Sequence, residues 1–253
     1  MAMSTRRDFI FAAAVVSAGC VAREIKAPAS TGGAAKLRQP AGGQSWRYAK
    51  HDVFAGRLVD TQTDRVSGVD QAIEIETRSE NTVGAPIKYP SWGAAWWHKY
   101  LGRDPSAGLL PNEIQEPWGM VLVDPHWAQL QVYKSPIPLW PSELRPGWST
   151  TVDTYYMIPS SEETMPWQLT MHALRWESVT VPAGQFTALH YYNLINFRFT
   201  NVSERTAALR QENIWFVPEI GRWVKRESYG SFREDVGTEI TEGSYRWELL
   251  DWT

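Results

Sequence analysis

Cysteine is almost absent from this chain: its 253 residues contain one, Cys20. A single thiol excludes any disulfide bond within the chain, so a fold in an oxidising compartment must be held by packing alone. It also removes the usual thiolate ligands of structural zinc, and none of the five histidines has metal-ligand spacing such as His-Glu-x-x-His. The sequence therefore predicts no metal and no cofactor.

The sequence also has no large excess of charge of one sign and no recognisable catalytic motif. The chain has 25 basic and 28 acidic residues with no block of like charge, which argues against a nucleic-acid partner. It contains no Gly-x-Ser-x-Gly, no phosphate-cradling glycine loop and no dinucleotide fingerprint. The sequence therefore predicts a protein that is not an enzyme.

The N-terminal residues have the layout of an export signal. Arg6 and Arg7 precede a short apolar run at residues 12–18. About 20 apolar residues are needed to span a bilayer, so the run predicts a secretory signal peptide and not a transmembrane helix. Residues 5–10 resemble the twin-arginine export motif, and an ordinary Sec signal with two basic residues is the alternative.

The single cysteine lies directly after this apolar run. Cys20 follows Ser-Ala-Gly at residues 17–19, and the stretch resembles a bacterial lipobox, which implies cleavage before the cysteine and acylation of its thiol. An incidental cysteine inside a cleaved signal peptide is the alternative. We predict a signal peptide at residues 1–19, a lipidated tether at 20–43 and a single β-rich domain at 44–253. The predicted location is the bacterial cell envelope, with the domain facing the periplasm and a membrane as its partner.

Aromatic residues are abundant, with 14 Trp, 10 Tyr and 8 Phe, a content that suits packing across a pleated sheet. Residues 174–199 and 214–232 share one layout, in which two β-rich runs flank a break. The breaks at residues 182–184 and 218–221 contain proline and glycine, which favour tight turns, so each stretch predicts a hairpin. Turn signals elsewhere predict an all-β antiparallel meander of roughly ten strands with no long helix.

Prolines interrupt this strand pattern in two places. Pro136, Pro138 and Pro141 remove backbone donors, so residues 135–141 are predicted to lie outside the sheet. Residues 81–117 are also punctuated by prolines. They predict a loop-rich insertion in which a regular strand is not favoured.

Four short motifs together resemble a group of largely uncharacterised bacterial cell-envelope lipoproteins. They are Gln-Ser-Trp at 44–46, Leu-Arg-Pro-Gly-Trp at 144–148, a VPAGxF turn within 179–186, and WxxPxxGxxVK within 215–226. The resemblance covers most of residues 44–252. It implies a sheet that curves into a half-barrel or barrel around an apolar concavity, as in lipoprotein carriers. It implies no catalytic residues.

Three histidines are considered as site residues and discounted. Asp124 and His126 flank Pro125 and could hold a carboxylate beside an imidazole, but a turn after a strand explains Asp-Pro more simply. His172 and His190 fall in predicted strands. We expect both to be partly buried, hydrogen-bonded residues.

The candidate ligand-binding residues are a run of aromatic and polar side chains inside the insertion: Trp92, Trp96, Trp97, His98, Lys99 and Tyr100. On a helix, Trp92 and Trp96 would share one face. Such a surface could stack on sugar rings or cap an apolar cavity that admits a lipid. The alternative is structural, because large aromatic side chains are usually buried and could plug an open end of the barrel.

Three hypotheses for function follow. The first is a tethered, non-catalytic module whose curved sheet binds an apolar or amphipathic, lipid-like ligand; the concavity implied by the resemblance favours it. The second is a carbohydrate or peptidoglycan binder that uses exposed tryptophans. The third is a structural or interaction lipoprotein with a filled core and no small ligand.

Overall fold

The computed structural model describes residues 36–80, 112–126, 130–158, 164–198, 205–234, 239–241 and 243–253. Within these ranges lie thirteen strands: β1 (Ser45–Asp52), β2 (Leu58–Gly68), β3 (Ile73–Ser79), β4 (Glu113–Gln115), β5 (Met120–Asp124), β6 (Gln131–Pro138), β7 (Ser149–Met157), β8 (Thr164–Val181), β9 (Gly184–Phe197), β10 (Arg205–Val217), β11 (Arg222–Glu234), β12 (Glu239–Thr241) and β13 (Tyr245–Trp252). Across these ranges there is no helix long and apolar enough to cross a membrane.

Twelve of the strands close into an antiparallel barrel. Each strand from β1 to β11 pairs with the next one along the chain, and β13 completes the ring between β11 and β1. The short β12 pairs with β11 beside the ring. The all-β antiparallel meander predicted from the sequence is confirmed, with thirteen strands in place of roughly ten.

Both predicted hairpins are confirmed. β8 and β9 meet through the pair Val181 and Gly184, and β10 and β11 meet through Val217 and Arg222. In the second turn Gly221 has a φ of 76°, a conformation that favours glycine. The local backbone preferences of proline and glycine are therefore enough to position these two turns.

One prediction drawn from prolines is wrong, and a second is corrected over three residues. Residues 135–141 were expected outside the sheet, yet β6 includes Pro136 and Pro138. β6 pairs with β7 through Val132 and Tyr133, and neither described ladder of β6 pairs Pro136, so that proline removes no ladder bond. Of the insertion at 81–117, residues 112–117 are described, and they include the three-residue strand β4, which the sequence did not favour and whose residues are all buried between β3 and β5. The rest of the insertion lies outside the described residues.

Aromatic side chains fill one end of the barrel. The ring centroids of Trp46 and Trp118 lie 6.3 Å apart, those of Trp118 and Trp140 lie 5.1 Å apart, and those of Trp140 and Phe216 lie 4.8 Å apart. We call these four residues the aromatic plug. Because large aromatic side chains bury much apolar surface, the plug contributes strongly to the core on this side.

The segment that precedes β1 crosses the plugged end. The Arg38 amide donates to the Pro218 carbonyl at 2.8 Å, and the Trp118 indole nitrogen donates to the Arg38 carbonyl at 3.2 Å. The Gln44 side-chain amide donates to the Ile220 carbonyl at 3.4 Å. Part of the segment predicted as a tether therefore contacts the barrel. The domain boundaries themselves stay predictions.

Candidate functional site

The barrel encloses a cavity of about 170 Å³ on the inner side of the aromatic plug. Alternate residues of a strand point to the same face of a sheet, so inward positions of many strands meet there. One side of the cavity, the apolar wall, contains Ile137, Leu139, Trp140, Trp167, Leu169, Ile195 and Ile214. The other side, the charged wall, contains Lys50, Asp64, Glu113, Asp124, His126, Arg210, Glu212, Arg222 and Arg226.

A buried ion-pair network lies at the centre of the charged wall. Arg222 Nη2 lies 2.7 Å from Asp64 Oδ2, and the two side chains are 4% and 0% exposed. Arg222 Nη1 lies 3.7 Å from Glu113 Oε1. Asp64 Oδ1 accepts hydrogen bonds from Gln62 Nε2 and Thr77 Oγ1, both at 2.9 Å. Burial raises the pKa of Asp64, but the Arg222 charge and these donors lower it below its ordinary value.

The network continues through the imidazole of His126. His126 Nδ1 lies 2.9 Å from Asp124 Oδ1 and 3.4 Å from Glu113 Oε2, and Nε2 lies 3.1 Å from Thr77 Oγ1. Burial lowers the pKa of His126, but the hydrogen bond and charge of Asp124 and the charges of Glu113 and Asp64 outweigh it and raise the pKa to about 9. The imidazole is therefore a cation at neutral pH and donates from both nitrogens.

A pH dependence of stability follows from this histidine. The folded-state pKa of about 9 lies above the ordinary value of 6.5, so the stabilisation by His126 is complete below about pH 6.5 and is lost as the pH rises through about 9. We expect His126→Gln to lower the free energy of unfolding most at pH 6 and least above pH 9, measured by urea unfolding. His172→Gln, on the outer face of β8 where His172 is exposed, serves as the control. A pH-independent loss for His126→Gln would contradict the assignment.

Further cations of the charged wall lie against aromatic rings. Arg226 Nη2 forms an ion pair with Glu212, and Arg226 Cζ lies 5.3 Å from the centroid of Trp247. Lys50 Nζ lies 4.1 Å from the centroid of Tyr245 and 5.1 Å from that of Trp247. Cation–π contacts of this kind are attractive and strengthen when water is excluded.

Several buried polar atoms around the cavity have no hydrogen-bond partner among the described residues. The donors are Trp167 Nε1, Arg222 Nε, Arg222 Nη1 and Arg226 Nε, and the acceptor is Asn193 Oδ1. Buried polar groups are normally hydrogen-bonded, and an unmade bond costs roughly 1–3 kcal/mol. The cavity lining therefore offers mainly hydrogen-bond donors, three of the four on the charged wall, and these suit a polar group rich in acceptor atoms.

The candidate residues of the insertion, Trp92 to Tyr100, lie outside the described residues. The discounted pair Asp124 and His126 is brought together in the cavity wall. His190 is buried as expected, whereas His172 is exposed, because it points to the outer face of β8. No group of three or more His, Cys, Asp or Glu side chains suited to a metal ion occurs within the described ranges.

Sequence reasoning missed Asp64, Arg222 and Arg226. A signal for them existed in the inward alternation of the strands. Asp64 lies two residues before buried Val66 on β2, and Arg222 and Arg226 flank buried Val224 at alternate positions of β11. A charge at an inward position of a closed barrel must be paired or bind a ligand, because burying it alone is costly.

No protein-family model matches the chain. The chain is 31% identical over 108 residues to a G-type lectin S-receptor-like serine/threonine-protein kinase of Oryza sativa, and 28% identical over 95 residues to the imidazole glycerol phosphate synthase subunit HisH of Synechococcus elongatus. These matches span 38% and 36% of this chain and only 13% and 43% of the two proteins, so neither activity is transferred.

Three solved structures resemble the chain over most of its length. A candidate lipoprotein of Parabacteroides distasonis has a TM-score of 0.49 at 13% identity, with 87% of this chain and 99% of that one covered. A candidate exported protein of Bacteroides fragilis with a YmcC-like fold has a TM-score of 0.43 at 12% identity and the same coverage. The hypothetical lipoprotein YmcC of Escherichia coli has a TM-score of 0.39 at 7% identity, with 83% and 85% covered.

Proposed function

We propose that this chain is a lipid-anchored cell-envelope protein whose barrel interior binds a small amphipathic ligand without converting it chemically. The observation that carries the proposal is the two-sided cavity, which has an apolar wall and a charged wall. An apolar group of the ligand is stabilised against the apolar wall by about 25 cal/mol per Å² of buried surface. A polar group of the same ligand accepts hydrogen bonds from donors on the charged wall.

The size of the cavity limits the ligand. A volume of about 170 Å³ is close to that of a cavity that accepts one benzene molecule, and it lies below the usual range for drug-sized ligands. A ring or a short length of a single chain fits this volume as the buried part of a ligand, whereas the two acyl chains of a phospholipid do not, and an eight-carbon probe buries part of its length. The lipid-like ligand expected from the sequence is thereby narrowed to a single-chain amphiphile.

Binding inside the barrel has a direct test. Trp140, Trp167, Trp223 and Trp247 line the cavity, so intrinsic fluorescence reports its occupancy. The full chain carrying Cys20→Ala, purified without detergent, is titrated with octanol, octanoate and octylamine. We expect a saturable response to at least one probe. If the fluorescence responds to none of the three probes, the proposal is overturned.

A matched pair of variants on β8 locates the binding. Leu169 lies in the apolar wall, whereas Leu174 is 43% exposed on the same strand. Leu169→Phe fills part of the cavity and is expected to weaken binding about tenfold, and Leu174→Phe is expected to leave it unchanged. Equal affinities in the two variants, with both melting as the parent does, would exclude the barrel interior.

The membrane anchor is a separate part of the proposal. More than one acyl chain on Cys20 gives lasting attachment to a bilayer. Cys20→Ala is expected to move the protein from the membrane fraction to the soluble fraction of cells, as detected by immunoblotting. If the variant remains with membranes after a high-salt wash, the lipobox assignment is wrong.

A further inference from the structure

Lys50 differs from the other cations of the charged wall. Arg222 is paired with Asp64, and Arg226 is paired with Glu212. Lys50 has no carboxylate within 4.0 Å among the described residues, and its ammonium group lies against the rings of Tyr245 and Trp247. Its ammonium group is therefore placed in the wall without a close counter-charge.

The surroundings of Lys50 favour an anion. Burial lowers the pKa of Lys50, the charge of Asp60 raises it in part, and Arg226 and Arg210 lower it further. An ammonium group that has lost hydration and lies near other cations gains stability from an anion placed between them. Arg226 also lies against this indole, with its Cζ 5.3 Å from the centroid of Trp247, and its buried Nε has no hydrogen bond among the described residues.

The unmade hydrogen bonds around the cavity also favour an anion. Four of the five buried polar atoms there that lack a hydrogen bond among the described residues are donors. An oxyanion satisfies such donors better than a hydroxyl or an amine does.

We propose that Lys50 and Arg226 form an anion subsite, so that the ligand is a single-chain amphiphile with one oxyanion head, held with its head at Trp247 and its chain against Leu169 and Trp140. The inference rests on the proposed function and specifies the class of its ligand. Carboxylate and phosphate monoester heads share the required chemistry. No bond is made or broken in the subsite.

The probes of equal chain length test the head group. In the Cys20→Ala chain we expect octanoate or octyl phosphate to bind at least tenfold more tightly than octanol, and octylamine more weakly than octanol. The ratio of the octanoate and octyl phosphate affinities identifies which oxyanion the subsite accepts. The preference is expected to weaken as salt rises, since it is a charge interaction.

A matched lysine variant assigns the preference to Lys50. Lys50→Met is expected to reduce the anion-to-octanol ratio to near one while leaving octanol affinity within a factor of about three. Lys134→Met removes a lysine that lies 5.9 Å from Tyr155 on the outside of the barrel, and it is expected to keep the full preference. Thermal melting of both variants checks that the fold persists.

The outcomes separate this inference from the proposed function. If the parent binds octanol and octylamine as tightly as both anions, the cavity binds amphiphiles but the anion subsite is wrong. If Lys50→Met retains the preference, Lys50 does not form the subsite. If no probe binds at all, the proposed function fails first.

Discussion

A protein with Arg222 replaced by methionine is expected to lose about 3–5 kcal/mol of its free energy of unfolding at neutral pH. Methionine fills a similar space, so the loss comes from charge and not from a void. Asp64 and Glu113, 0% and 3% exposed, would be left without the guanidinium that lies 2.7 and 3.7 Å away. A buried carboxylate that loses its closest cation is destabilising because water does not replace that partner. Urea unfolding at constant pH measures the loss.

An exposed arginine provides the control. Arg145 Nε lies 2.6 Å from Glu143, a closer contact than that of Arg222, but the two side chains are 61% and 57% exposed. Arg145→Met is expected to cost less than about 1 kcal/mol, because exposed ion pairs contribute little. Equal losses for the two variants would show that the Arg222 network is not buried as described.

The same variant should respond to pH in a defined direction. With Arg222 present, the pKa of Asp64 is below its ordinary value, so this carboxylate stabilises the fold above its unfolded pKa and loses that contribution as the pH falls through the folded pKa. Without Arg222, burial still raises the pKa of Asp64 and its strongest opposing charge is gone, leaving the smaller effects of His126, Gln62 and Thr77, so the carboxyl is more easily protonated in the fold. The destabilisation by Arg222→Met should therefore shrink as the pH is lowered from 7 to 5. Adding Asp64→Asn should recover part of it at neutral pH.

Replacing Gly119 with alanine is expected to destabilise the barrel by about 3 kcal/mol or more. A Cβ at this position would lie 2.4 Å from Cζ2 and 2.5 Å from Cε2 of Trp140. Trp140 cannot retreat freely, because it is packed between Trp118 and Phe216 in the aromatic plug. The φ of 86° at Gly119 adds strain for any residue with a side chain. Denaturant unfolding gives the loss of stability, and near-UV circular dichroism should show altered tryptophan packing.

Gly147→Ala separates the two contributions. Gly147 has a similar φ of 79°, and nothing lies within 4 Å of an added Cβ. This variant carries the backbone strain without the clash, so it is expected to lose about 1 kcal/mol and to keep its near-UV spectrum. A Gly119→Ala protein no less stable than the Gly147→Ala protein would contradict the tight contact with Trp140.

Local features of the fold could be predicted from the sequence because their causes are local. Pro182 and Gly184 specify one turn and Pro218 and Gly221 another, through backbone preferences that no distant residue needs to supply. The prolines of β6 misled prediction for the opposite reason. Whether a missing donor matters depends on the neighbouring strands, and the ladder beside Pro136 is open at that point.

The candidate site could not be predicted because closure of the ring creates it. Arg222 and Asp64 are 158 residues apart in sequence and become hydrogen-bonded only when β13 joins β11 to β1. The pair Asp124 and His126 was explained as a turn, since an isolated sequence does not show that Glu113 faces the same imidazole. Alternation identifies inward positions, but it does not identify which inward charges meet.

The hydrogen bonds of Arg38 and Gln44 across the plugged end affect how a ligand could enter or leave the cavity. These bonds tie the segment before β1 to the turn between β10 and β11, directly over the aromatic plug. A ligand could leave the cavity through this end only if the rings of Trp46, Trp118 and Trp140 moved apart and these hydrogen bonds broke as well. The plugged end is therefore closed twice, once by ring packing and once by hydrogen bonds.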